Sequence, residues 1–443
     1  MSKYTKEDII QIADEEDVEF IRLQFSDILG NLKNVAITRC QLERALDNRY
    51  MFDGSSIPGF VSIEESDMYL HPDLDTFTIF PWRPQQGKVA RIICSVHRPD
   101  GSPFEGDSRM VLKNTLEEVT QAGYTFDVGA ECEFFLFNTD DSGRPTVSTD
   151  ESGGYFEMGP SDFGENARRD IVLALEDMGY EIESSHHEAS PGQHEIDFKY
   201  SHALEAADDI ITFKLAVKTI AKRHGLYATF MPKPLAGSNG SGMHINMSLS
   251  KDGKNIFFDP DDQYRLSPEA YYFIGGILKH AYAMTAITNP LVNSYKRIVS
   301  GFEAPMHIAW SVKNRSSLIR IPSIRDNQMR IELRSPDPTA NPYLTLALCL
   351  AAGLDGLKKK ITPPGPVLEN IYDMTKEEKN RLMMRALPMD LNEAADAMES
   401  DPFVKGILGD HIANVYLNAK RKEWDSYCKS VTDWEVNEYL GKY

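Results

Sequence analysis

Ionisable side chains recur in this chain with a two-residue period, and that beat restricts the fold more than any other feature. In Gly129-Ala-Glu-Cys-Glu-Phe134, His186-His-Glu188 with Gln193-His-Glu-Ile-Asp197, Gly242-Met-His-Ile-Asn-Met-Ser248 and Arg330-Ile-Glu-Leu-Arg334, charged or polar groups alternate with apolar or small ones. On a strand, residues two apart share a face. Glu131 therefore groups with Glu133, His244 with Asn246 and Ser248, and Glu332 with Arg330 and Arg334. So many glutamates on one wall repel one another unless cations sit among them.

The chain has 443 residues, enough for a small and a large domain. Its 42% hydrophobic and 26% charged content suits a soluble globular protein. A net charge of −20 argues against non-specific binding to nucleic acid or anionic membrane. It leaves nucleotides open, because local arginines hold phosphates on an acidic protein. Five scattered cysteines without a C-x-x-C pattern predict reduced thiols and a cytoplasmic setting. The N-terminal residues lack the apolar core of a signal peptide. The longest apolar run, about 343–354, is too short to span a bilayer and predicts a buried helix.

The predicted fold class is α+β. Thr5-x-x-Asp8 predicts a capping box opening a first helix, and residues 18–37 and 89–96 read as strands. His97-Arg-Pro-Asp-Gly-Ser-Pro-Phe-Glu-Gly106 is turn chemistry throughout, and divides a small β-rich domain, 1–105, from a larger one, 106–443. Asp107 then caps a helix that Gly123 closes. Helical patterns follow at about 164–178, 203–224, 268–288 and 341–360, and strand patterns at about 126–137, 180–188, 194–200, 226–231, 242–249, 307–312 and 328–334. Ser190-Pro-Gly192 predicts a hairpin turn that sets Glu188 across from Glu195.

A single glutamate usually lies on a solvated face. Glu131 and Glu133, however, sit among Val128, Phe134, Phe135 and Leu136, so their strand is central and needs partners for its carboxylates. Oxygen-rich sites with one imidazole suit Mg²⁺ or Mn²⁺ better than zinc, and the carboxylates outnumber the needs of one ion. His186, His187 and His194 read as ordinary core or surface histidines. His244 is better placed, after the small-residue loop Asn239-Gly-Ser-Gly242. Arg297, Arg315, Arg320, Arg325, Arg330 and Arg334 crowd one segment with a single lysine, Lys313. Arginine binds carboxylate and phosphate bidentately. No G-x-x-x-x-G-K-[ST] motif is present, so a nucleotide would be held by metal ions and arginines. Two loops could act as lids: Tyr295–Pro305 with Glu303, and Asp53-Gly-Ser-Ser-Ile-Pro-Gly59.

Together these stretches resemble glutamine synthetase of the bacterial type I class, along the whole chain in order. The specific pieces are Asp53-Gly-Ser-Ser56, Glu131-x-Glu133-Phe-Phe, Lys233-Pro, Asn239-Gly-Ser-Gly-Met-His244, Asn314-Arg315-Ser, Arg320-Ile-Pro and Glu332-x-Arg334. The resemblance implies an N-terminal β-grasp-like domain, and a catalytic domain whose curved antiparallel sheet is flanked by helices. It also implies a dodecamer of two stacked hexamers with active sites between subunits. It implies Glu133, Glu188 and Glu195 as ligands of a first metal, and Glu131, His244 and Glu332 as ligands of a second. Asn239, Gly240, Arg297 and Arg334 match a glutamate-binding set, joined by Glu303. Arg315 and Arg320 match phosphate-binding arginines, with Glu183, Asn246, Ser248 and Arg330 on the nucleotide side. Asp53, from a neighbouring subunit, and Glu303 match the ammonium site, where Arg297 and Arg315 complete the catalytic set.

The implied reaction is ATP + L-glutamate + NH₃ → L-glutamine + ADP + phosphate, through a γ-glutamyl phosphate. Three departures stand out. Phe302 replaces a frequent tyrosine, Ser62 stands where relatives carry an arginine tied to glutamine feedback, and the segment bearing an adenylylated tyrosine is missing. Rival readings are a γ-glutamyl ligase using an organic amine and a nitrogen-sensing regulatory binder; a MerR-type nitrogen regulator is a candidate partner.

Overall fold

The computed structural model describes residues 3–83, 85–299, 301–323 and 328–443. Arg325 lies outside them. The N-terminal sheet has the strand order Leu32–Thr38, Val18–Ser26, Lys88–His97, Asp67–Pro72, Tyr50–Asp53, with Thr78–Ile79 also on Lys88–His97. Its central pair, Val18–Ser26 and Lys88–His97, runs parallel. The Thr5/Asp8 capping box opens the first helix as expected.

Beyond Gly106, Asp107 caps helix Ser108–Gln121 by accepting the Arg109 N–H. The second sheet has ten strands: Trp310–Ser311, Ile319–Arg320, Ile331–Leu333, Met243–Lys251, Tyr124–Asn138, Gln193–Phe198 and Ile182–His187 in order, with three short strands attached to its middle. Among the described residues it is antiparallel except where Trp310–Ser311 meets Ile319–Arg320. The apolar half of the two-residue beat (Cys132, Phe134, Met243, Ile245, Met247 and Ile196) is fully buried in the core. There Phe134 meets Phe213 of helix Ala203–Arg223 edge-on. Helices Pro268–Thr288 and Pro342–Lys359 pack closely; Gly276 and Gly356 face each other's backbones, leaving no room for a Cβ. Among the described residues no helix is long and apolar enough to cross a membrane.

Three expectations change. Residues 307–312 form a strand only at Trp310–Ser311, because the Met306 carbonyl and Ile308 N–H pair with the 385–387 loop instead. The strand at 328–334 shortens to Ile331–Leu333, since the Met329 carbonyl accepts from the Asn255 side chain and Arg334 N–H turns to Leu318. The Ser190–Gly192 turn forms a hairpin, but Glu188 pairs with Gln193 and it is His186 that stands opposite Glu195. The two carboxylates share a face as diagonal neighbours.

Candidate active site

Strand register builds the site. Cross-strand partners in an antiparallel sheet share a face. Arg320, Glu332, Asn246 and Gly129 form one row, His244, Glu131 and Asp197 a second, and Glu133, Glu195 and His186 a third. The alternation read from the sequence thus becomes one polar face across six strands, with the hydrophobic core behind it.

On this face the carboxylates converge in three groups with ligand atoms within 4.8 Å: Glu131–His244–Glu332, Glu133–Glu195–His244 and His186–Glu188–Glu195. His244 belongs to two of them. Its Nδ1 lies 3.1 Å from Glu131 and its Nε2 4.0 Å from Glu133. His186 Nε2 lies 2.9 Å from Glu188 and 3.5 Å from Glu195. It is therefore a site residue that the sequence reading had set aside. His187 and His194 do lie in the core, against Glu151 and Arg168. Gln193 donates to Glu133 at 2.9 Å and to the Gly240 carbonyl at 3.2 Å, and the Gly242 N–H donates to Glu133 at 2.9 Å.

Electrostatics separate these groups. Burial opposes ionisation of Glu131, but hydrogen bonds from His244 and Asn246 outweigh it and hold its pKa at about 2. Burial and then Glu188 push Glu133 up to about 8, and burial with Glu133 raises Glu195 strongly. Asp197 rises to about 6 for the same first reason, despite a bond from Ser184. Burial, reinforced by Arg334, keeps the His244 imidazole below its ordinary range and hence neutral, as a metal ligand must be. Buried carboxylates whose charge is opposed first by burial and then by one another form a donor set that a divalent cation would satisfy. Oxygen donors with an imidazole fit Mg²⁺ or Mn²⁺.

Glu332 is fully buried, its oxygens taken by Arg320 at 2.7 Å and by Arg334. A carboxylate oxygen has two lone pairs, so one on each remains for a cation beside His244. Arg334 also donates to the Arg315 carbonyl, and Arg315 bonds the Tyr155 hydroxyl.

Two cavities meet along the wall. A cavity of about 470 Å³ is lined by Glu183, Asn246, Ser248 and Arg330; one of about 610 Å³ by Glu133, Glu188, Glu195, Glu303, Arg315 and Arg320. Glu131, Ser184 and Asp197 border both. Arg297 lines neither: it is buried behind the loop, its guanidinium donating to the Ser335 and Arg334 carbonyls at 2.7 and 3.2 Å. Gly240 packs so tightly that an added Cβ would lie 2.2 Å from the Pro232 carbonyl oxygen. The Asn239 N–H is held by the Ser190 hydroxyl at 2.8 Å. Glu303 sits at φ +55°, after Gly301 at +91°, and the neighbouring Phe302 ring lies 3.6 Å under the Lys233 ammonium. Asp53, exposed at the end of its strand, accepts from the N–H and hydroxyl of Ser55 and borders neither cavity.

The sequence singles out none of Asp197, Gln193 and Tyr155 as site residues, and in it His186 reads as an ordinary histidine. Asp197 stands on the same beat as Glu195, and His186 on that of Glu188, so both carried a signal. Tyr155 comes from an irregular loop and carried none.

The chain matches the family model described as glutamine synthetase, catalytic domain, over residues 105–439, and the one described as glutamine synthetase, beta-Grasp domain, over 17–99. It is 60% identical over 443 residues to a glutamine synthetase of Clostridium saccharobutylicum, covering 100% of both chains. It is 58% identical over 441 residues to one of Staphylococcus aureus, covering 99% of each. Among solved structures it is similar to one described as a GmaS/ADP complex, with a TM-score of 0.89 at 33% identity over 98% of this chain and 99% of that one. It is also similar to Plasmodium falciparum glutamine synthetase, with a TM-score of 0.87 at 29% identity over 99% of each.

Proposed function

The chain belongs to the glutamine synthetase family, whose members are glutamate–ammonia ligases, and from that premise we propose how the two joined cavities divide the reaction. The single observation that carries the proposal is the acidic wall bordering both. ATP occupies the cavity of Asn246, Ser248 and Arg330, with its γ-phosphate directed toward the wall. L-Glutamate occupies the cavity of Glu133, Arg315, Arg320 and Arg334.

A carboxylate is a poor electrophile, and phosphorylating the γ-carboxylate gives it a leaving group. Two divalent ions, held by Glu131, His244 and Glu332 and by Glu133, Glu188 and Glu195, would supply neutralisation of phosphoryl charge. Arg320 and Arg315 add fixed positive charge that needs no reorganisation. Glu332 keeps Arg320 and Arg334 aimed at the wall. Arg297 acts from behind by bracing the Arg334 and Ser335 carbonyls. Glu303 attracts ammonium and accepts a proton as nitrogen attacks the acyl phosphate, while its loop shields that intermediate from water.

Asp53 joins the ammonium site from a neighbouring subunit, which accounts for its exposed position. The assembly on this reading is a dodecamer of two hexamers, in the cytoplasm, where the five free thiols stay reduced. The domains divide at 105/106, in the loop between strand Lys88–His97 and helix Ser108–Gln121. A MerR-type regulator captured under glutamine excess would add a second role.

A phosphate-release assay tests the chemistry. With glutamate and Mg²⁺·ATP, adding ammonium should raise phosphate release and give glutamine in equal amount. Product with an organic amine but none with ammonium would contradict it.

Metal binding should be proton-linked. The ordinary value for Glu133 is 4.5 and the folded value about 8. A raised carboxylate contributes stability below 4.5 that is lost as pH climbs through 8. The metal-free protein should therefore melt progressively lower between pH 5 and 8, and Mg²⁺ or Mn²⁺ should flatten that slope and bind more tightly as pH rises. Thermal melts with and without metal read this; parallel slopes would contradict it.

A further inference from the structure

A further cavity, of about 660 Å³, lies between the polar face of the N-terminal sheet and helix Ala203–Arg223. It shares no lining residue with the two substrate cavities. In a chain of net charge −20, its ionisable lining is Arg22, Arg83, Lys214, Lys218, Lys420 and a single carboxylate, Glu423. Glu423 is already committed: it accepts from Lys420 at 3.0 Å and from the Val292 N–H at 3.0 Å.

Among the described residues neither Arg22, Arg83, Lys214 nor Lys218 forms an ion pair. Arg22 donates at 2.7 Å to the uncharged Asn34 side chain. Burial, then the like charge of Arg83, pulls its guanidinium below the ordinary range. Lys214 makes one long bond, 3.4 Å, to the Ala340 carbonyl, and burial pushes its pKa down to about 8. The carboxylate it senses, Asp337, is engaged by Thr339 and Asn289. Converging cations cost free energy unless an anion joins them. On one side the cavity is walled by the Phe80–Trp82 stack, at a 4.7 Å centroid separation. Its volume falls in the range of small-molecule sites.

We propose that this cavity is a binding site for a small, multiply charged anion bearing phosphate or carboxylate groups, separate from the substrate sites. Because Arg22 and Arg83 belong to the N-terminal part and Lys214 and Lys218 to the catalytic part, an occupant would tie the two together.

The test uses the full-length, metal-free protein with 5-fluorotryptophan, its Trp82 resonance assigned through Trp82→Phe. Pyrophosphate and citrate are titrated separately by calorimetry and ¹⁹F NMR. Saturable binding of either probe is expected, with a shift of the Trp82 resonance and affinity about tenfold weaker in both Lys214→Met and Lys218→Met. The exposed Lys218 guards against a folding artefact in the variant of the half-buried Lys214. Binding of pyrophosphate alone identifies a phosphate ligand, and of citrate alone a carboxylate. No binding of either, an unmoved Trp82 resonance, or unchanged affinity in both variants overturns the proposal.

Discussion

Glu332→Ala should cut glutamine formation by two to four orders of magnitude while the protein still folds. Glu332 is fully buried, and its two oxygens hold Arg320 and Arg334. Removing it takes one ligand from the group it forms with His244 and Glu131 and leaves two guanidiniums facing each other. Removing one preorganised group that stabilises transition-state charge costs about 2.7–4 kcal/mol of barrier, and each 1.36 kcal/mol in a barrier is about tenfold in rate. His244→Ala should produce a loss of the same order through the ligand alone, because no arginine depends on it for an ion pair. Steady-state turnover beside a Mn²⁺ titration separates the two causes. Metal affinity should fall in both variants, and the melting temperature chiefly in Glu332→Ala. Near-normal turnover in either would contradict the placement of the phosphate-side metal.

Glu303→Ala is predicted to uncouple the reaction rather than stop it. Glu303 borders the cavity of Glu133, Arg315 and Arg320 and not that of Asn246, Ser248 and Arg330. Its left-handed backbone, φ +55°, is a conformation that costs a non-glycine residue free energy and persists only when its surroundings hold it. The Lys233–Phe302 contact at 3.6 Å and the Tyr372 hydroxyl on the Ala304 carbonyl at 2.8 Å are the holding contacts. Without the carboxylate, ammonium loses its attraction and its proton acceptor, while phosphorylation of glutamate retains every group it uses. Phosphate release should then persist with glutamate, and glutamine per phosphate should fall about a hundredfold. A variant that keeps one glutamine per phosphate would assign the proton transfer elsewhere.

The sheet was legible because its chemistry is periodic. Glu131, Glu133, His244, Asn246 and Glu332 each occupy the expected face, since a period of two leaves no other choice once the intervening residues are apolar. Register was not legible. Glu188 was expected opposite Glu195, but the hairpin sets His186 there, and only the turn's hydrogen bonding decides that offset. The surroundings of Arg297 were not legible either: the resemblance implies a place for it in the glutamate-binding set, and no local pattern announces its bonds to the Ser335 and Arg334 carbonyls. Tyr155 and Tyr372 reach the site from segments without a pattern, so nothing local announced them.

The central claim is that this polar face holds divalent cations where the two cavities meet. Anomalous diffraction at the manganese edge, from crystals of the full-length protein grown with Mn²⁺ and ADP, tests it most directly. The account predicts one peak among Glu131, His244 and Glu332 and another among Glu133, Glu188 and Glu195. A map without density at either place, in crystals where ADP is bound, would contradict it.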